Sequence, residues 1–199
     1  MKIYNIVGGV NGVGKSSLIG SLKSRLNDFG LIIDVDKINE RFNGDRLKGG
    51  KYAVNLISDC ISKGITFTQE TTLSGVRTEK TISLAKEKGY YIRLYYIGLD
   101  NADESIDRIA NRVKKGGHDI PKKDVIKRFQ HRFENLEKIL PYCDTAYFYD
   151  NFNGFKEVGV YKNGEIISHG NSQPDWMNEL VSRQQEKVFR AFNNKQVKK

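Results

Sequence analysis

The chain has 199 residues, 38% hydrophobic and 29% charged, with a formal net charge of +9 at pH 7. That balance suits one globular domain with its own core and excludes a disordered or collagen-like chain. The two cysteines, Cys60 and Cys143, exclude a disulfide framework, and no apolar run approaches the roughly 20 residues of a membrane span.

Lys2-Ile3-Tyr4-Asn5-Ile6-Val7 reads as a short buried strand. It starts too close to Met1 to leave room for a cleavable leader, so the expected location is cytoplasmic. The next stretch, Gly9-Val10-Asn11-Gly12-Val13-Gly14-Lys15-Ser16, fits the phosphate-loop pattern of Gly, four residues, then Gly-Lys-Ser. Glycines there let backbone N–H groups approach a polyphosphate and allow left-handed dihedrals. Lys15 supplies a cation for the outer phosphates, and the Ser16 hydroxyl can ligate Mg²⁺. Gly9, Asn11, Gly12, Val13, Gly14, Lys15, Ser16 and Ser17 are therefore expected to bind the phosphates of a nucleotide, with Ser16 also on Mg²⁺. A chance glycine-rich turn is the competing reading. A strand before and a helix after, with Leu18, Ile19, Leu22 and Leu26 at helical spacing, set it aside.

Gly30 suits the end of that helix, and Leu31–Asp36 reads as a second strand with Asp34 and Asp36 at its carboxyl end. Lys37–Arg41 is expected as a short helix, and Asn43-Gly44-Asp45 with Gly49-Gly50 as a mobile loop. Tyr52–Lys63 reads as a helix, with Cys60 on its core face, and Ile65–Glu70 as a strand. Val76–Lys88 is a helix with Ile82, Leu84 and Ala85 inward, and Tyr90–Ile97 an aromatic strand. Ala102–Lys115 is the next helix, Gly116 and Gly117 a hinge, and Pro121–Leu140 one continuous helix. Thr145–Asp150 is a fifth strand. Phe155–Tyr161 and Glu165–Ser168, joined across Asn163-Gly164, read as a hairpin, and Pro174–Phe192 as an amphipathic helix with Trp176, Leu180, Val181 and Val188 apolar.

Strands alternating with helices predict an α/β fold: a three-layer P-loop NTPase/kinase fold with a parallel sheet, a helical lid and a C-terminal β-hairpin plus helix. The kinase domain is expected over 1–150, with the lid over about 103–140 and the hairpin and helix appended over 151–199.

A kinase needs a base for the acceptor hydroxyl, cations over the phosphoryl group in flight, and exclusion of water. Asp36 is the candidate base; a cap on the helix at Lys37 is the competing role. Arg108, Arg112, Arg128 and Arg132 are candidate lid cations, against a solvated helical face. Spacing does not say which of them reach phosphate. Glu70, Thr71 and Thr72 end a strand where they can hold substrate hydroxyls or metal-bound water, and Thr72-Leu73-Ser74-Gly75 can equally be the cap of the next helix. His118 reads as a lid or substrate contact, or as an exposed loop histidine. No Cys/His cluster has metal-ligand spacing.

Glu70-Thr71-Thr72-Leu73-Ser74-Gly75, the run Arg112 to Pro121 with its Gly-Gly-His-Asp-Ile-Pro, then Arg128-Phe129 and Asn135-Leu136, resemble the compact branch of the zeta-toxin-like kinases. The resemblance covers about 2–150. It implies a P-loop kinase using ATP and Mg²⁺, with a UDP-N-acetyl amino sugar as acceptor in well-studied members and an antitoxin protein as partner. By that resemblance Lys15 and Ser16 bind ATP and metal, and Asp36 is the base. Glu70 and Thr71 line the acceptor side, and Arg112 and Arg128 are lid cations. Three departures stand beside it: no counterpart of the long toxins' sugar-binding insertions, His131 where the branch often carries Arg, and a hairpin and last helix outside the match.

The expected function is thus an ATP-dependent kinase with a small-molecule hydroxyl acceptor. The alternatives are a nucleic-acid-directed kinase or binder, suggested by the +9 charge, and a nucleotide-binding regulator without transfer. No RNP, KH or helix-turn-helix signature supports a nucleic-acid partner, and no membrane partner is expected.

Overall fold

A computed structural model describes residues 1–117, 119–170 and 172–196, with backbone alone for 76, 191, 192 and 194–196. The expected role of His118 lies outside the described residues. In chain order the elements are β1 (Ile3–Gly8), α1 (Lys15–Lys23), β2 (Leu31–Asp34), α2 (Val35–Arg41), α3 (Arg46–Lys63), β3 (Phe67–Thr71), α4 (Val76–Glu87) and β4 (Tyr91–Gly98). There follow α5 (Ala102–Lys114), α6 (Lys122–Gln130), α7 (Arg132–Ile139), a short 3₁₀ turn Leu140–Tyr142, β5 (Thr145–Asp150), β6 (Lys156–Lys162), β7 (Glu165–Ser168) and α8 (Asp175–Gln196).

The strands form one seven-stranded sheet in the order β2-β3-β1-β4-β5-β6-β7. The first five in that order run parallel, and β6 and β7 join antiparallel. Strand order reverses around β1, which sits between β3 and β4. A reversal of this kind opens a crevice at the carboxyl ends of the strands. Gly8 of β1 is level there with Thr71 of β3, so the phosphate loop and the β3 acid emerge side by side.

The period of two along each strand builds two cores on opposite faces. Tyr4, Ile6, Ile92, Leu94 and Tyr96 face a larger core filled by α3, α4, α7 and α8. Val7, Tyr95 and Ile97 face a smaller one closed by Leu18, Ile19 and Leu22 of α1 with Phe29. Layers of helix, sheet and helix are thus present, as expected.

Several local expectations are corrected. β2 stops at Asp34, whose carboxylate caps α2, so Asp36 lies in the first helical turn and not on a strand. Gly49 and Gly50 are inside α3, which begins at Arg46 under an Asp45 cap. A Cβ at Gly49 would stand 2.1 Å from Asn39 Oδ1, so the glycine there serves close packing of α3 on α2 instead of a loop. The helix from Pro121 is interrupted at His131, and Arg132 just beyond lies over the Phe129 and Phe133 rings at 3.9 and 4.1 Å. Phe133, Leu136 and Ile139 of α7 are buried in the main core, whereas α6 supplies Arg128 to the cleft. Leu84, expected inward, is exposed, and α1 ends at Lys23, before Leu26.

The hairpin continues the main sheet through β5–β6 pairing, with a bulge between Phe148 and Tyr149. Its turn, Asn163 (φ 55°) and Gly164 (φ 87°), has the two positive dihedrals that a tight right-twisted hairpin needs. α8 then packs back on the sheet where side chains are missing. Cβ atoms at Gly98 and Gly159 would stand 2.2 Å from the Trp176 ring and 2.5 Å from Met177 Cε.

Candidate active site

The phosphate loop is held by its own lysine and by two residues from outside it. Lys15 Nζ donates to Val10 O at 3.0 Å, Ser105 Oγ donates to Asn11 O, and Asn151 Nδ2 donates to Val13 O at 2.8 Å. With those carbonyls engaged, the backbone N–H groups of the loop are the donors left for an anion. Gly12 (φ 78°) and Gly14 (φ 98°) take backbone conformations that suit glycine, and a Cβ on either would meet Ser105 O or Asn151 Nδ2 at 2.7 Å. Gly14 also precedes the first turn of α1, where the helix dipole favours negative charge.

Lys15 is 8% exposed, and burial pushes its ammonium pKa below the ordinary lysine value. Glu70, Asp36 and Asp34 oppose that shift, and Arg112 adds to it. Four of the residues expected to act together therefore share one electrostatic neighbourhood. The Ser16 hydroxyl donates to Glu70 Oε2 at 2.8 Å. Burial raises the Glu70 pKa above the ordinary carboxylate value; Asp34 adds to the shift, while Lys15 and the Ser16 hydrogen bond pull against it. A hydroxyl and a carboxylate beside a triphosphate tail are the hard oxygen donors that Mg²⁺ takes, usually with waters and substrate phosphates completing its shell. Ser16 and Glu70 are thus the residues fitted to hold that ion. No cluster of three or more His, Cys, Asp or Glu is arranged as a metal site among the described residues.

Asp34 and Asp36 divide the two roles left open by spacing. Asp34 Oδ1 accepts from Asp36 N at 3.0 Å and Lys37 N at 3.2 Å, so Asp34 is the cap. Asp36, exposed, lines the cleft. At the β3 end, Thr71 Oγ1 accepts from Leu73 N at 3.1 Å, and Thr72 Oγ1 pairs with Ser74 Oγ at 2.7 Å. Leu73 is buried with φ 59°, an unfavourable dihedral for a branched side chain. It is held there by packing on Gly8, where a Cβ would stand 2.9 Å from Leu73 Cδ1. Strain of this kind collects at ligand sites because neighbours over-determine it.

The four arginines separate. Arg128 Nη1 donates to Asn11 Oδ1 at 2.6 Å and lines the cleft. Arg112 is near enough to Lys15 to act on its ionisation. Arg108 is turned to Asn151 O at 2.6 Å and to Glu104, and Arg132 to Glu179 at 2.9 Å. Those two serve the framework. The resulting cleft, of about 210 Å³, brings Asn11, Lys15, Asp36, Glu70, Thr71, Thr72 and Arg128 together.

Three residues in this arrangement went unread in the sequence. Ser105 and Asn151 hold the loop, and Gln69, hydrogen-bonded by the Tyr4 hydroxyl, lines the cleft. Gln69, in the carboxyl half of β3, and Asn151, just past β5, both lie toward strand carboxyl ends, a position that signals a crevice role. Ser105, one residue of an amphipathic helix, carries no such signal.

The family model described as Zeta toxin matches residues 2–163. The chain belongs to the zeta toxin family. The match runs past Asp150, through β6, and so takes in more of this zeta toxin family member than the motifs had suggested. An uncharacterised protein of Haemophilus influenzae is 35% identical over 124 residues, covering 60% of this chain and 86% of that protein. Among solved structures, one from the PezAT chromosomal toxin–antitoxin system of Streptococcus pneumoniae superposes with a TM-score of 0.65 at 18% identity, covering 95% of this chain and 88% of that one. The AvrRxo1-ORF1:AvrRxo1-ORF2 complex with sulphate ions gives 0.67 at 14% identity, over 91% of this chain and 64% of the other. At such identities the structural likeness carries the fold. Family and fold together support a nucleotide-dependent kinase.

Proposed function

We propose that this zeta toxin family member transfers the γ-phosphoryl group of ATP to a hydroxyl of a small molecule. One observation carries the reading: the phosphate-loop lysine, a carboxylate outside the strand ends and a lid arginine line the same cleft. Phosphoryl transfer asks little more of a protein than this, because positioning and charge stabilisation do most of the work.

In this reading the loop N–H groups and Lys15 hold the β- and γ-phosphates. Ser16 and Glu70 hold Mg²⁺, which would neutralise phosphate charge when bound. Asp36 accepts the proton as the acceptor oxygen attacks phosphorus in line. Arg128 and Arg112 offset the charge that builds on the equatorial oxygens. Thr71, Thr72 and Gln69 line the acceptor side. A UDP-N-acetyl amino sugar is the acceptor favoured by family membership, and an antitoxin protein the favoured partner; action in the cytoplasm fits both. Among the described residues no helix is long and apolar enough to cross a membrane.

The decisive experiment incubates the protein with Mg-ATP, first with UDP-N-acetyl amino sugars and then with a pooled metabolite extract, and searches by mass spectrometry for products heavier by one phosphate. The expected result is one Mg²⁺-dependent product, absent with Asp36→Asn although ATP still binds. ATP binding without any phosphorylated product would leave a nucleotide-binding regulator instead.

A further inference from the structure

Arg128 has an unusual partner for a cation in an acidic cleft. Asp34, Asp36 and Glu70 all line the cavity that Arg128 lines, yet its guanidinium is bound to a neutral amide, Asn11 Oδ1, at 2.6 Å. Asn11 is itself held firmly: it is 7% exposed, and its backbone oxygen accepts from the buried Ser105 hydroxyl of α5. The phosphate loop, α5 and α6 thus meet at this one residue.

The choice of an amide has a physical consequence. A carboxylate at this place would fix the arginine equally well but would cancel its charge. Loss of the amide would free the guanidinium to fold onto Asp36 or Glu70, and an ion pair there would remove both the phosphate cation and the free carboxylate. We propose that Asn11 is a positioning residue: it aims the Arg128 guanidinium at the γ-phosphate and keeps it off the cleft carboxylates without neutralising it.

The inference rests on the kinase reading, so its test is a binding measurement that needs no acceptor. Affinities for Mg-ATP and Mg-ADP are measured by calorimetry for the wild type, Asn11→Ala, Asn11→Asp, Arg128→Ala and the double alanine variant. The ratio of ATP to ADP affinity reports contacts to the γ-phosphate. Arg128→Ala is expected to lower that ratio about tenfold, Asn11→Ala by nearly as much, and the double variant by no more than Arg128→Ala alone, the signature of two residues acting as a unit. Asn11→Asp is expected to keep the fold, judged by an unchanged melting temperature, and to lose the preference for ATP all the same. A preference intact in Asn11→Ala, or two single losses that add in the double variant, overturns the proposal. A wild type that binds neither nucleotide would overturn the kinase reading itself, a separate outcome.

Discussion

Two neighbouring regions at the carboxyl ends of the strands solve opposite problems: Asn151 braces the phosphate loop, and the adjacent Asp150 holds Trp176 of α8. At the phosphate loop, Lys15 is buried against its preference, Glu70 is pushed toward its neutral form and Leu73 sits in a left-handed conformation. Where α8 meets the sheet, polar groups are matched. Trp176 N donates to Asp100 Oδ1 at 2.8 Å and its Nε1 to Asp150 Oδ1 at 3.0 Å, while the indole is 1% exposed over Gly98. The first region holds charged groups where burial disfavours their charge, and in the second the indole and its backbone N–H each have a carboxylate partner. A protein can hold the first in a stable fold because the second is so well satisfied.

That contrast can be broken at several points. The largest effect is expected from Asp36→Asn, which should slow phosphoryl transfer about 10²–10⁴-fold. ATP affinity, read by calorimetry, should change little; transfer at full rate would remove the base assignment. Trp176→Ala should cost about 3–5 kcal/mol in urea denaturation by opening a cavity at the α8 seam, with ATP affinity of the folded protein kept.

Lys15→Met probes the other side of the comparison. Transfer should fall about 10²–10³-fold, whereas the ligand-free protein should melt at a higher temperature, because a buried ammonium has been replaced by an apolar group. A lower melting temperature would show that the ammonium is already well compensated without ligand. Gly98→Ala should cost about 1–3 kcal/mol by pushing the indole out of its seat, since no Cβ fits there. The smallest effect is a pH dependence. The folded pKa of Glu70 lies above its ordinary value of 4.5, so the fold favours its neutral form. Its stabilising contribution is complete below the ordinary value and is lost as pH rises through the raised one. The wild type should therefore gain melting temperature relative to Glu70→Gln as pH falls from 7 toward 5. Over the same interval Mg²⁺ affinity should weaken in the wild type, because only the carboxylate form of Glu70 ligates a hard cation.

The phosphate loop, the alternation of strands and helices and the acidic strand ends were legible because each is a local pattern: a motif, a period or a turn residue. Where sequence reading failed, packing between elements had overruled the local rule. Gly49 reads as a loop residue until α2 is laid against it, and the long apolar helix from Pro121 reads as one piece until α7 turns into the main core. Arg108, Arg112, Arg128 and Arg132 are the same residue type at the same helical spacing. Only the placement of Asn11, Asn151 and Glu179 around them separates Arg128, which lines the cleft, from Arg108 and Arg132, which brace the frame.

The sequence by itself determined the fold class, the loop that grips phosphate and the set of charged residues available to it, since these follow from short-range geometry and from periodicity. The tertiary structure alone decided that Asp36 and Glu70 line one cleft with Arg128, that Glu70 pairs with Ser16, that Ser105 and Asn151 brace the loop, and that the hairpin extends the main sheet. The physical reason is that a charge acquires its role from what lies within a few ångströms of it, and that distance is set by packing between elements far apart in the chain.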